Sequence, residues 1–162
     1  MCAVRGLIAT GVMAAAIALA AAGGAAAPTA EMDGLAPAAK PGAKGAKVKL
    51  LKTRFGRILV TGKGLTLYLF QKEKSAQSEC YDDCAVAWPP LLTRGRPVAG
   101  RDVKQKLLGT TTRTDGRRQV TYRGHPLYRY HTEDQAGEVL CQNVFEFGGL
   151  WQVVDRFGRA VR

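Results

Sequence analysis

The side chains whose type and spacing could do chemistry in this 162-residue chain are Cys80, Cys84 and Cys141, His125 and His131, and the carboxylates Glu73, Glu133 and Asp134. Cys80 and Cys84 enclose Tyr81-Asp82-Asp83 and are followed by Ala85. Covalent haem needs Cys-x-x-Cys-His, and a thioredoxin-like pair needs two intervening residues in a βαβ setting, so both are excluded. In an oxidising compartment the economical use of such cysteines is a structural disulfide. Cys80–Cys84, Cys80–Cys141 and Cys84–Cys141 are the candidate pairings, and each leaves one thiol over. That odd thiol is the sharpest chemical lead: a thiolate nucleophile, a redox sensor or a soft-metal ligand. The bland alternative is a small buried hydrophobe.

A metal site would draw on His131, Cys141 and Asp134. The two histidines do not make a pair, because six residues of strand at roughly 3.3 Å each hold them about 20 Å apart. Ligands of one metal lie within about 4 Å of each other. Glu73 and Glu133 occupy equivalent places and suit either paired acid–base work or, more economically, turn capping and pairing with the abundant Arg and Lys. Tyr68, Phe70, Tyr128 and Tyr130 form stripes that would stack on a ligand ring or pack in a core, and at strand spacing the core is the better reading. No complete catalytic constellation emerges. The chain therefore reads as non-enzymatic, and no cofactor is expected.

The elements that must position these residues come as an internal repeat with a shift of 60. Phe55 to Phe70 aligns without a gap on Asp115 to Tyr130, with seven of sixteen positions identical, and Glu73 matches Glu133 just beyond. Each copy runs on to a Cys (Cys80, Cys141) and then to a Trp with an apolar run (Trp88 to Leu92, Trp151 to Val154). Arg54-Phe55-Gly56-Arg57 returns as Arg156-Phe157-Gly158-Arg159, which suggests a closing turn of the same kind. Within a copy a Val-Thr strand ends, a turn carries Gly64 or Gly124, and an alternating strand returns. Along 65–70 the leucines share one face and Thr66, Tyr68 and Phe70 the other, both apolar enough to be buried. A single hairpin is not stable in water. The expected fold is all-β: two pseudo-equivalent hairpin repeats sharing one core, a small sandwich or barrel-like body of six to eight strands. The basic segment from about Thr93 to Lys106 reads as a surface loop.

Ahead of the repeats the composition is different. Arg5, an uncharged apolar stretch Leu7 to Ala22 and small residues from Gly23 to Ala27 have the order of a secretory signal, assigned to residues 1–27. The stretch is short of the roughly 20 residues a spanning helix needs, so the mature protein is expected to have no transmembrane helix. Cys2 precedes the apolar stretch and does not fit a lipidation site. Residues 28–47, rich in Ala, Pro, Gly and Lys, read as a flexible tether. The repeat domain is assigned to 48–162, with copies at about 48–92 and 107–162.

Twenty-four Lys and Arg against thirteen Asp and Glu give a formal charge of +11, and removal of the leader leaves the balance strongly basic. Such a charge attracts anionic surfaces and says nothing of fold. For an exported protein, periplasmic or extracellular, the candidate partners are lipid head groups, lipopolysaccharide or acidic polysaccharide; nucleic acid is set aside with export.

The residues Leu67-Tyr68-x-Phe70, Cys80-x-x-x-Cys84-Ala85 leading into Trp88-Pro89-Pro90-Leu91, Gly124-x-Pro126-Leu127-Tyr128-x-Tyr130 and Gly148-Gly149-x-Trp151-x-Val153-Val154 resemble a bacterial secreted-repeat family. Its members are predicted lipoproteins with a Tyr-x-aromatic-x-x-Asp motif. The resemblance spans nearly all of 48–162 and implies the fold and an exported location. The family brings no established activity. Here both motif acids are Glu, and no lipobox is present. The leading functional reading is a non-catalytic envelope module that binds or scaffolds through a basic surface. The runner-up is a redox or metal-handling accessory using the odd cysteine with His131, Glu133 or Asp134. N-terminal sequencing of the exported protein should find a start between about Gly23 and Glu31; an intact Met1 in the cytosol would contradict it.

Overall fold

The structure, a computed structural model, describes residues 44–162. The signal assigned to 1–27 and most of the tether lie outside the described residues. Nine short strands form three three-stranded sheets among them, and a single short α-helix interrupts the pattern.

The first sheet is the hairpin β1 (Lys47–Thr53) and β2 (Gly56–Thr61), in register from Val48↔Thr61 to Thr53↔Gly56, with β4 (Val98–Ala99) added parallel to β1. The second has β3 (Tyr68–Phe70) and β8 (Val144–Glu146) flanking β9 (Gly149–Val153). The third is β5 (Leu108–Thr112), β6 (Arg118–Tyr122) and β7 (His125–Pro126). The basic segment after Thr93 is anchored rather than loose: it supplies β4 and buries Val103. Ala46 is held at its N–H by the Thr93 hydroxyl, 3.0 Å away, so the fold takes in the last residues before Val48.

The hairpins return where the sequence puts Gly64 and Gly124. Both adopt φ values, +99° and +80°, that a side chain with a Cβ resists. Beyond the turns the two copies repeat one bonding scheme, one residue out of step with the 60-residue shift, since Leu59 aligns with Gln119 and Val120 takes its place. Leu67 donates to the carbonyl of Leu59 and Leu127 to that of Val120, at 3.1 and 3.0 Å. Leu59 in turn donates to Val154 and Val120 to Leu91, both at 2.8 Å, so each hairpin is docked on the Trp-bearing strand of the other copy.

Alternation along 65–70 divides the interior in two. Leu67 and Leu69 join Val48, Leu59, Val120, Tyr122, Leu127 and Val154 in one cluster. Tyr68 and Phe70 face the other cluster, with Trp88, Tyr128, Tyr130 and Trp151. There Phe70, Trp151 and Trp88 make a stack of rings with centroids 4.2 and 4.0 Å apart in turn, and Tyr130 leans on Trp88 at 4.8 Å, tilted by 49°. The two indoles come one from each copy, and each copy's aromatic residue packs on the other copy's Trp. Gly149 is required beneath this stack, since a Cβ there would lie 2.4 Å from the Phe70 ring.

The copies diverge after their cysteines. In the first, α1 (Asp82–Ala87) carries the chain to Trp88, and a Cys80–Cys84 disulfide ties its first turn to the preceding segment. In the second, the β8–β9 hairpin occupies the corresponding stretch before Trp151. The residue pattern gives no sign of a helix here, because six residues are too few for a 3.6-residue period to register. Trp88→Ala and Trp151→Ala should each cost about 3–5 kcal/mol in urea unfolding, whereas reducing the five-residue Cys80–Cys84 loop should cost only about 2 kcal/mol. Equal, small losses in all three would contradict a core centred on the ring stack.

Candidate functional site

Tyr68 and Tyr128 meet at the centre of the molecule. Their backbones exchange two hydrogen bonds, Tyr68 N–H to the Tyr128 carbonyl at 2.9 Å and the reverse at 3.1 Å. Neither residue has any exposed surface. Two residues on, the strand ends, and the N–H of the motif acid donates to the carbonyl of the motif aromatic: Glu73 to Phe70 at 3.1 Å and Glu133 to Tyr130 at 3.3 Å. This turn is what the spacing Tyr-x-aromatic-x-x-acid encodes. It swings each carboxylate back into the core.

There the pairing crosses between copies. The Tyr68 hydroxyl donates to Oε1 of Glu133, and the Tyr128 hydroxyl donates to Oε1 of Glu73. The same oxygens accept backbone N–H groups at 2.8 Å, Glu79 to Glu73 and Leu140 to Glu133. Those two donors immediately precede Cys80 and Cys141, so each acid also fixes the approach to its own copy's buried cysteine. Both glutamates are almost wholly buried, and the second oxygen, Oε2, of each has no hydrogen-bond partner.

Burial of the charged form pushes both carboxyls up to about 7. The tyrosine hydroxyls and backbone N–H groups oppose that rise without cancelling it; the Glu79 charge at Glu73 and the Glu138 charge at Glu133 add to it, and Arg113 offsets it in part at Glu73. Burial, and then the neighbouring glutamate, raises both tyrosines far enough to keep them neutral donors.

One end of this arrangement continues. The Tyr128 hydroxyl lies 2.7 Å from the Ser78 hydroxyl, which accepts a bond from Nη1 of Arg113 at 2.7 Å. The Arg113 guanidinium is buried and also donates to Oε1 of Gln119 at 2.8 Å and to the Cys80 carbonyl at 2.7 Å. Its carboxylate neighbour is Asp115, at 3.4 Å. Sequence reasoning missed Arg113, Ser78 and Gln119: nothing in the pattern sets Arg113 apart from the other basic residues. It also missed Glu146, whose Oε2 accepts from the Trp88 indole at 3.0 Å and whose carbonyl accepts from Trp151 at 3.2 Å.

Of the expected site residues, Tyr68, Phe70, Glu73, Tyr128, Tyr130 and Glu133 are brought together, inside the core and on one another. Glu73 and Glu133 are bonded to the other copy's tyrosine rather than to each other, and among the described residues no Arg or Lys forms an ion pair with them. Cys80 and Cys84 are the bonded pair. Cys141 is wholly buried, and the odd thiol is not found: among the described residues no cysteine is free. His131 and Asp134 are exposed, and no group of three or more His, Cys, Asp or Glu suited to a metal occurs among the described residues.

Residues 49–92 and 109–155 each match a family described as a secreted repeat of unknown function. No curated protein and no solved structure matches the chain. The two matched segments coincide with the two copies that the crossed Tyr–Glu bonds join.

Because both carboxyls hold protons more tightly folded than unfolded, the fold gains from them below about pH 4.5 and loses that gain as the pH rises to about 7. The loss is on the order of 3 kcal/mol for each. The melting temperature should therefore fall between pH 4.5 and 8. Glu73→Gln with Glu133→Gln, which keeps an acceptor for each tyrosine, should flatten the profile and melt higher than the parent at pH 8. A parent profile that rises over this range would refute the buried, protonated carboxyls.

Proposed function

The chain belongs to the secreted-repeat family of unknown function, and from that premise we propose that it is an exported, non-catalytic module of the cell envelope that binds or scaffolds an anionic component through its basic surface. The observation that carries this reading is where the chemistry-bearing side chains go. The repeated motif spends its tyrosines and acids on each other in the core, with almost no surface to offer a substrate. What the domain presents outward is charge, with cations outnumbering acids by 24 to 13 over the chain. A fixed, disulfide-tied β body carrying exposed Lys and Arg suits attraction to a polyanion better than it suits turnover.

The signal-like leader and the family's description as secreted support a periplasmic or extracellular location. No helix among the described residues is long and apolar enough to cross a membrane.

Binding of the purified exported protein to lipopolysaccharide, phosphatidylglycerol vesicles and a carboxylated polysaccharide, each beside a neutral counterpart, tests the reading. Salt-sensitive binding to at least one anionic class and to no neutral one is expected. Equal affinity for charged and neutral forms, or binding to none at low ionic strength, would overturn it.

A further inference from the structure

Two open grooves, of about 520 and 550 Å³, meet at Ala46 and Leu92. The first is lined by Lys47, Lys63 and Arg129 around a floor of Leu65, Pro90 and Leu91. The second is lined by Lys44, Arg94, Arg117 and Arg118. Seven cations thus border the two adjoining grooves, taken together as a trough, and no Asp or Glu lines them. Among the described residues only Arg117 of these has a carboxylate partner, Asp115 at 2.6 Å. The other six make no ion pair there, although three exposed or half-exposed acids elsewhere on the surface are engaged: Asp102, Glu79 and Asp155.

We infer that this trough is the binding site for an extended acidic polysaccharide whose carboxylates are met by Lys63, Arg129 and Arg94. The inference rests on the function proposed above and names the site and the partner class.

Three features select that occupant. The grooves are open and adjoin at Ala46 and Leu92, which suits a linear polymer rather than a small ligand that a pocket must enclose. The lining holds no aromatic ring, so it offers no stacking platform for the bases of a single-stranded nucleic acid. None of the large exposed apolar residues, Val86, Val98, Leu140, Phe145, Phe147 and Phe157, lines the trough, so nothing there would insert into a lipid surface. The aliphatic floor is left to meet the C–H faces of sugar rings, while the Lys and Arg reach up to the carboxylates. Recognition is led by charge, with affinity that drops as salt rises because the polymer's counterions are released on binding.

The test uses the full exported protein and polygalacturonate, with the fully methyl-esterified polymer as the neutral control and phosphatidylglycerol vesicles as the lipid arm. Lys63→Glu with Arg129→Glu reverses two charges in the trough, and Lys74→Glu with Arg101→Glu reverses two exposed charges outside it. Circular dichroism and melting temperature establish that both variants are folded. The trough variant should bind polygalacturonate at least about tenfold more weakly and with a shallower salt dependence, and the control should stay within about twofold of the parent. Equal losses in the two variants would overturn the trough and leave only a diffuse charge effect. A parent that binds vesicles but not polygalacturonate would remove the polysaccharide while sparing the broader anion-binding function. A parent that binds neither these nor lipopolysaccharide would remove both.

Discussion

The backbone exchange between Tyr68 and Tyr128, with the hydroxyl of each reaching the glutamate of the other copy, is the interaction on which the rest of the structure depends. It sets the register between copies, since sliding either strand by one residue would turn its tyrosine into the leucine-rich cluster. With that register fixed, Phe70 lies on Trp151 and Tyr130 on Trp88, and the two indoles meet. The same carboxylate oxygens take the N–H groups ahead of Cys80 and Cys141. One set of four side chains thereby holds the sheets, the ring stack and the loops.

Placing two carboxyls in that position is costly in solvation, and the cost shows as a rise of both carboxyls to about 7, so that protonation relieves it as the pH falls below neutral. Among the described residues no Lys or Arg pairs with either glutamate, and both Oε2 atoms lack a partner there. A neutral carboxyl avoids the burial penalty an anion would carry. On the Glu73 side a cation does come near: Arg113, relayed through Ser78 and Tyr128. The copies therefore differ in what lies behind the tyrosine, while both carboxyls rise alike to about 7. The copies are unequal beyond their cysteines too, with a disulfide-tied helix in one and a hairpin in the other.

Much of this was legible in the residues. The 60-residue shift announced the two copies, the alternation along 65–70 announced two apolar faces, and Gly64 and Gly124 sit at the turns assigned to them. The motif residues were legible as a group but not as crossed partners, because spacing within a copy carries no information about which carboxylate a hydroxyl reaches across the fold. Glu73 and Glu133 invited pairing with basic residues simply because basic residues are abundant. Arg113 went unnoticed for the same reason. The helix at Asp82–Ala87 was too short to leave a period, and the cationic trough draws on separate stretches of chain that only the folded sheet brings together.

The crossing of the tyrosines and acids has a consequence for how such a body could arise. A chain with one copy alone would carry a tyrosine facing no acid, an acid facing no tyrosine and a Trp with one bare face. Two such chains brought together would satisfy one another with the same bonds that Tyr68, Glu133, Tyr128 and Glu73 make here. The present fold has the wiring of a two-fold dimer whose subunits have been joined end to end, and in a single chain, unlike a symmetric dimer, the two halves are free to differ, as the helix of one and the buried Arg113 of the other do.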